Sequence, residues 1–335
     1  MTETPPSAAH QEAKDLASQA KDFMEIGKWN EAAGLLERAV TLEPTQQQFL
    51  SLLVVCFRNN QDTQKLDQLY RTLQTNPPQF DFNRYVTNGL PFLGKPVENP
   101  HQDFVFISGA PRSGTTSFGR ILNLHNEIAI FTERFTPYFG YHPDMFLKEN
   151  IYSPGHKTHR HIKPMERLHK KIRTCAWIGD KRPNFSYSAP ITMSQFKDKK
   201  LRVFHIYRSI EDVCWSYEHK KKRSMDEWSY KHACFDLNTN NRAICEAMNA
   251  ADGQDVKFYI TDYTKLHSDA DYALGMFEKL DLSCDDALRE KVQNYIADSM
   301  KILDKERVLS DEAQRYIEKE IDWDADNEIR KHMTG

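Results

Sequence analysis

"FVFISGAPRSGTTSFGRIL", residues 104–122, joins an apolar run, a loop bracketed by Gly109 and Gly114, and the start of a helical pattern. Strand, glycine-rich loop and helix in this order form a phosphate cradle: the glycines allow a tight turn, loop N–H groups point inward, and the helix offers its positive N-terminus. Ser113, Thr115 and Thr116 add hydroxyls, and Arg112 adds a charged fork. The loop has no lysine. A nucleoside-triphosphate loop of the form GxxxxGK[ST] places one directly after its second glycine, whereas Thr115 follows Gly114 here. The stretch therefore reads as a phosphate site whose charge comes from something other than a loop lysine.

Working outward, "FVFIS" (104–108), "AWIGDK" (176–181), "LRVFHIYR" (201–208) and "DVKFYITDY" (255–263) are short apolar-rich runs separated by helix-length segments. That alternation predicts an α/β, P-loop-containing, three-layer domain with a central parallel sheet over 103–335. Ligands of such sheets bind at the carboxyl ends of the strands. There "SGAPRSGTT", "GDKRP", "IYRS" and "ITDY" converge.

Residues 1–78 read differently. Apolar residues recur at helical spacing (Leu16, Ala20, Phe23, then Ala32, Leu35, Leu36, Ala39), with Gly27 and Trp29 at a turn and Pro44 at the end. The pattern resembles a tetratricopeptide repeat, and a copy shifted by 34 residues keeps Tyr70, Leu73 and Pro78 but carries Gln61 and Thr63 at its turn. A small all-α, tetratricopeptide-like domain is expected over 1–78, joined through a linker at 79–102. Two repeats are too few for an independent solenoid, so they are expected to pack on the following domain. Such repeats either pack without a partner or present a docking surface for a protein or peptide.

The formal net charge of −3 hides an asymmetry: residues 101–240 carry 23 Lys+Arg against 14 Asp+Glu, and 241–335 carry 13 against 22. A basic region inside a near-neutral chain fits a small polyanion better than a nucleic-acid surface. No run approaches the roughly 18 to 20 apolar residues of a membrane span, and the six cysteines stand singly with no C-x-x-C pair. A reducing, cytoplasmic setting is expected. "HKTHRHIKPMERLHKKIR" (156–173) holds four histidines and seven Lys/Arg. Its spacing matches no familiar metal site, and it reads as a basic flap or an attractor of an anionic acceptor.

The loop resembles the 5'-phosphosulfate loop of sulfotransferases that use 3'-phosphoadenosine 5'-phosphosulfate (PAPS). "VFHIYRSIEDVCWSYEHKKK" (203–222) resembles their 3'-phosphate strand–turn–helix segment, and "GDKRP" and "YITDYTKLHSDADYALGMFEKLDL" (259–282) resemble two further family segments. The Arg-Ser form of the loop is closest to the protein-tyrosine and carbohydrate enzymes. In the tyrosine enzymes a glutamate follows the loop arginine at a spacing that Glu133, 21 positions after Arg112, matches, although the run here is "FTERF". The resemblance implies transfer of a sulfuryl group to a hydroxyl of a glycan, a peptide tyrosine or a small molecule, leaving adenosine 3',5'-bisphosphate (PAP), with no metal required. It implies Glu133 as base, with His142 or His156 as rivals. Lys181 and Arg112 stabilise the transferred group, and Arg112, Ser113, Gly114, Thr115 and Thr116 hold the 5' end. Arg208, Ser216 and Lys220 hold the 3'-phosphate, with Tyr263 beside the nucleotide. A P-loop kinase and a non-catalytic, nucleotide-binding interaction protein are the other readings of the same residues.

Overall fold

The computed structural model describes residues 7–44, 46–75, 103–135, 140–147, 151, 168, 171–172, 174–220, 228–251, 255–303 and 307–333. Five strands, β1 (Asp103–Ser108), β2 (Ile128–Thr132), β3 (Trp177–Lys181), β4 (Lys200–Tyr207) and β5 (Val256–Asp262), form one sheet in the order β2-β3-β1-β4-β5. All four pairings are parallel. Such a sheet needs both faces covered, and the strand side chains divide accordingly. Phe104 and Phe106 of β1 point into a cluster with Tyr141, Phe146, Phe185 and Phe196. Val105 and Ile107 point the other way. They meet helices α5 (Thr115–Leu122), α10 (Ala270–Glu278) and α11 (Asp286–Leu303).

Connections run from β1 out to β2, back through β3, and then across β1 to β4 and β5. The direction of winding reverses at β1, and the crevice beyond its carboxyl end is where such sheets take ligands. The glycine-rich loop occupies that point.

The N-terminal segment forms four helices, α1 (Ala8–Glu25), α2 (Trp29–Leu42), α3 (Gln47–Asn60) and α4 (Thr63–Thr75). Gln61 ends α3 with φ 54°, a left-handed turn of the same kind as Gly27 at φ 74°, 34 residues earlier. Ala13, Ala20, Ala32 and Ala39 are buried where the helices approach closely. This core is continuous with the α/β part: Tyr187, Ile191, Phe235 and Ala243 belong to the same apolar cluster. Tyr187 lies in a 3₁₀ turn (Phe185–Ser188), Ile191 in α6 (Ala189–Gln195), and Phe235 and Ala243 in α8 (Tyr230–Asn249). The linker expected over 79–102 lies outside the described residues.

Charge fixes the junction. Arg58 of α3 donates through Nε and Nη2 to both carboxylate oxygens of fully buried Asp236 at 2.6 Å, and Tyr217 donates its hydroxyl to Oδ2 at 2.5 Å. A second contact joins Arg242 to Asp67 of α4 at 3.0 Å. Removing one partner of a buried, bidentate ion pair strands the other charge, which costs about 3 to 5 kcal/mol. Arg58→Leu is therefore expected to lower unfolding stability by about 3 kcal/mol in urea titrations, and an unchanged midpoint would show that the pair does not fix the junction.

Candidate active site

The expected site residues stand at the carboxyl ends of the five strands: the loop after β1, Glu133 after β2, Lys181 closing β3, Arg208 after β4 and Tyr263 after β5. The sheet thus brings together residues up to 151 positions apart in the chain (Arg112 and Tyr263). Except for Ser113 and Ser216, and for Lys220, whose side chain lies outside the described residues, they line a single cleft of about 690 Å³.

Gly114 sits at φ 102°, directly before α5, and its Cα faces the ring of Tyr263 so closely that any Cβ there would collide with it. Only glycine lets the loop lie on the tyrosine. Ser113 is buried, and its Oγ has no hydrogen-bond partner among the described residues. The hydroxyl packs against Gly109, where a Cβ would collide with it, and Ser113 does not line the cleft. Thr115 is buried and Thr116 exposed, while Ser117 Oγ meets Tyr295 Oη of α11 at 2.8 Å.

Arg112, expected on the 5'-phosphate or sulfonate, has left-handed backbone (φ 72°) and reaches to α7 (Ile210–Lys220), where its Nε donates to Ser216 Oγ at 3.0 Å. Arg208 Nη1 donates to the Arg112 carbonyl at 2.9 Å, and its guanidinium carbon lies 4.4 Å from the centre of the Tyr263 ring. Arg208 is 9% exposed, and burial pulls its pKa below the usual arginine value. Asp212 accepts from Arg208 Nε at 3.3 Å and also from Arg307, so one carboxylate serves two arginines. Lys220 is the last residue of α7; its side chain lies outside the described residues.

Across the cleft, Lys181 Nζ donates to Glu133 Oε1 at 2.5 Å, with the lysine side chain 3% and the carboxylate 40% exposed. Glu133 is held there by backbone. Its N–H donates to the Lys181 carbonyl at 2.8 Å, extending the β2–β3 ladder by one residue, and φ 53° then turns the chain. Non-glycine residues at positive φ are uncommon and concentrate where function fixes geometry. Arg112 and Glu133 both belong to that class.

The neighbouring Arg134 turns its guanidinium to the Ile151 carbonyl. His142 accepts from the Asp144 N–H and so caps a 3₁₀ turn (Pro143–Phe146), and burial lowers its pKa. It does not line the cleft. His156 lies outside the described residues, as does most of the basic segment 156–173. Lys171 from that segment donates to the carbonyls of Asn123 and His125 at 2.7 and 2.8 Å, at the C-terminal end of α5.

Several residues of the site went unread in the sequence. Asp180, beside Lys181 and fully buried, accepts from Tyr141 Oη at 3.1 Å, and burial raises its pKa to about 6. His267, on the short helix α9 (Tyr263–Ser268), holds its ring 4.6 Å from that of Tyr263. It is buried, and neither ring nitrogen has a partner among the described residues. Least visible of all, Ser51, Val54, Val55 and Arg58 of α3 line the same cleft.

Taken together, a lysine-free phosphate loop, a second arginine–serine cluster and a Lys–Glu pair at the ends of a parallel sheet define a group-transfer site on a P-loop-like α/β domain. The family can be stated from the sequence match: residues 102–333 fit the family described as "Sulfotransferase domain", and the chain belongs to it. It is a sulfotransferase enzyme. No curated protein matches the chain. Among solved structures it is similar to the "Sulfotransferase Domain from the Curacin Biosynthetic Pathway", at 14% identity and TM-score 0.38, over 65% of this chain and 96% of that one. It is also similar to mouse sulfotransferase SULT7A1 complexed with PAP, at 13% identity and TM-score 0.40, over 70% and 89%. Sulfotransferase STF1 from Mycobacterium tuberculosis H37Rv aligns at 13% identity and TM-score 0.36, over 94% and 93%. At these scores the structural likenesses add no weight to the family match. Among the described residues no helix is long and apolar enough to cross a membrane.

Burial, and secondarily the charge of Arg208, hold the pKa of His267 down from 6.5 to about 4. A depressed histidine favours the folded state in its neutral form: its contribution is present above the unfolded pKa and is lost as pH falls from 6.5 through about 4. Between pH 7 and 5 that loss is on the order of 2 kcal/mol. His267→Asn should flatten the acid limb of the stability profile by that amount, measured by urea unfolding at the two pH values. An unchanged slope would mean the imidazole titrates normally.

Proposed function

We propose that the chain transfers the sulfuryl group of PAPS to a hydroxyl by in-line displacement, with Glu133 as the base. The observation that carries this reading is the convergence of the loop after β1 and the linked Arg208 and Arg112 with a Lys181–Glu133 pair in one cleft. A donor with a 5'-phosphosulfate and a 3'-phosphate needs both anion groups at once. The missing loop lysine accords with a ligand that has no triphosphate and no Mg²⁺ to hold.

PAPS, when bound, supplies the sulfuryl group and a phosphate leaving group. Loop amides with Ser113, Gly114, Thr115 and Thr116 hold the 5' end. Arg208, Ser216 and Arg112 hold the 3'-phosphate, Lys220 adds its charge from the end of α7, and Tyr263 bears on the nucleotide. We place Arg112 with the 3' group because its Nε already meets Ser216, although its remaining nitrogens lie within the same cleft. Lys181 directs its ammonium toward the transferred group and the bridging oxygen. Glu133 takes the acceptor's proton as the acceptor oxygen bonds to sulfur and the bond from sulfur to the 5'-phosphate oxygen breaks, its electron pair staying on PAP. The direct Lys181–Glu133 contact holds the cation and the base side by side in the cleft.

The N-terminal helices are further proposed to be degenerate tetratricopeptide hairpins, residues 1–78 forming one unit and 103–335 the catalytic one, in a reducing, cytoplasmic setting. The left-handed Gln61, one repeat length after Gly27, supports the repeat.

Base and clamp are separable. Glu133→Gln should lower turnover by on the order of 10² to 10³-fold and leave PAP affinity within about twofold, since the carboxylate is not a donor ligand. Arg208→Ala should weaken PAP by about 10 to 100-fold in calorimetric titrations. Equal loss of turnover and PAP affinity in both variants would contradict this division of labour.

A further inference from the structure

Helix α3 presents one complete stripe to the cleft. Ser51, Val54, Val55 and Arg58 stand at i, i+3, i+4 and i+7, the spacing that puts side chains on one helical face. The opposite side, with Leu50, Leu53 and Phe57, is buried in the helical core. Val55 is 38% exposed, one of few large apolar side chains left so open among the described residues. A valine facing water from a wall of an enzyme cleft is explained by a ligand that covers it.

The cleft has two ends. On one, Ser117 of α5 and Tyr295 and Ser299 of α11 follow the phosphate loop toward Tyr263, on the side of the sheet covered by those helices. The other end starts at Lys181, continues through Arg182, Pro183, Asn184 and Tyr187, and is completed by α3 and by Trp228, whose ring lies 4.9 Å from that of Tyr217 on α7. The donor's anion ligands are all accounted for at the loop and α7, so the second end is open to the acceptor.

The polar groups there are already engaged within the protein. Asn184 Oδ1 accepts from Asn240 at 2.7 Å, Ser188 Oγ donates to the Phe185 carbonyl at 3.1 Å, and Tyr187 Oη meets Thr239 at 2.6 Å. Arg58 is neutralised by Asp236. The apolar groups facing the cleft there are Val54, Val55, Pro183 and Trp228, beside Arg182, and Ser51 Oγ is buried with no partner among the described residues.

Resting on the sulfuryl-transfer reading above, we infer that α3 is the specificity wall of the acceptor subsite. It receives a hydroxyl carried on an aromatic or aliphatic framework, with Ser51 offering one hydrogen bond. The helical segment is then part of the active site, and a glycan, whose many hydroxyls Val54, Val55, Pro183 and Trp228 would leave unpaired, is the disfavoured class.

The test uses the full chain saturated with PAP and two probes, 4-nitrophenol and N-acetylglucosamine, titrated calorimetrically against wild type and Val55→Arg. Because Val55 is half-exposed, the variant should keep the wild-type melting temperature. Expected is binding of 4-nitrophenol to wild type, weakened about tenfold or more in Val55→Arg, with PAP affinity unchanged and no binding of the sugar. Unaltered 4-nitrophenol affinity in the variant, or binding of the sugar in preference to the phenol, would overturn the inference while leaving sulfuryl transfer standing. Loss of PAP affinity in Val55→Arg would place α3 at the donor and overturn it equally. Failure of wild type to bind PAP at all would remove the underlying reading and the inference with it.

Discussion

Arg208 is the point on which the phosphate end of the site depends. A guanidinium at 9% exposure must be neutralised and hydrogen-bonded, since an unpaired buried ion costs several kcal/mol. The protein meets that demand from three segments at once: the Arg112 carbonyl in the loop, Asp212 on α7 and the face of Tyr263 after β5. Tyr263 in turn lies against Gly114. The loop after β1, the helix after β4 and the residue after β5 are therefore held by one cation. An anion entering the cleft beside Arg208 and Arg112 would complete an arrangement whose geometry is already set, which is how a site gains affinity without paying for ordering on binding.

The Lys181–Glu133 pair is fixed by a different constraint, the register of β2 against β3. Thr132 pairs with Lys181, and the next amide, Glu133 N–H, bonds to the Lys181 carbonyl before the chain turns at φ 53°. Backbone pairing places the two side chains together at the edge of the cleft. Asp180, one residue before Lys181, alternates to the other face and anchors Tyr141. One strand thus supplies the chemistry on one side and the packing of the covering segment on the other.

Much of this was legible in the sequence, and what was not has physical reasons. Apolar strand runs such as "FVFIS" and the glycine-bracketed loop specify a buried parallel strand and its turn locally, so the sheet and the cradle followed. Glu133 and Lys181 were found as separate candidates, but their contact depends on the neighbouring positions of β2 and β3, which no local pattern encodes. The direction of Arg112 follows from left-handed backbone at a non-glycine residue, which sequence propensity argues against. The stripe on α3 was hidden for another reason. Valines at i+3 and i+4 read as core, and only the docking of α3 through Arg58 and Asp236 turns that face toward the cleft. His267 is buried by tertiary packing that no local pattern announces.

The central claim is that the loop and the Arg208–Ser216 cluster form a two-phosphate clamp for a 3'-phosphorylated adenosine nucleotide. Calorimetric titration of the wild-type protein with PAP, with adenosine 5'-monophosphate and with ATP plus Mg²⁺ tests it most directly, because the monophosphate differs from PAP only in the 3'-phosphate. PAP is expected to bind at least about 100-fold more tightly than the monophosphate, the worth of one or two charge-assisted contacts, and more tightly than ATP. Equal affinity for PAP and the monophosphate, or a preference for ATP with Mg²⁺, would contradict it.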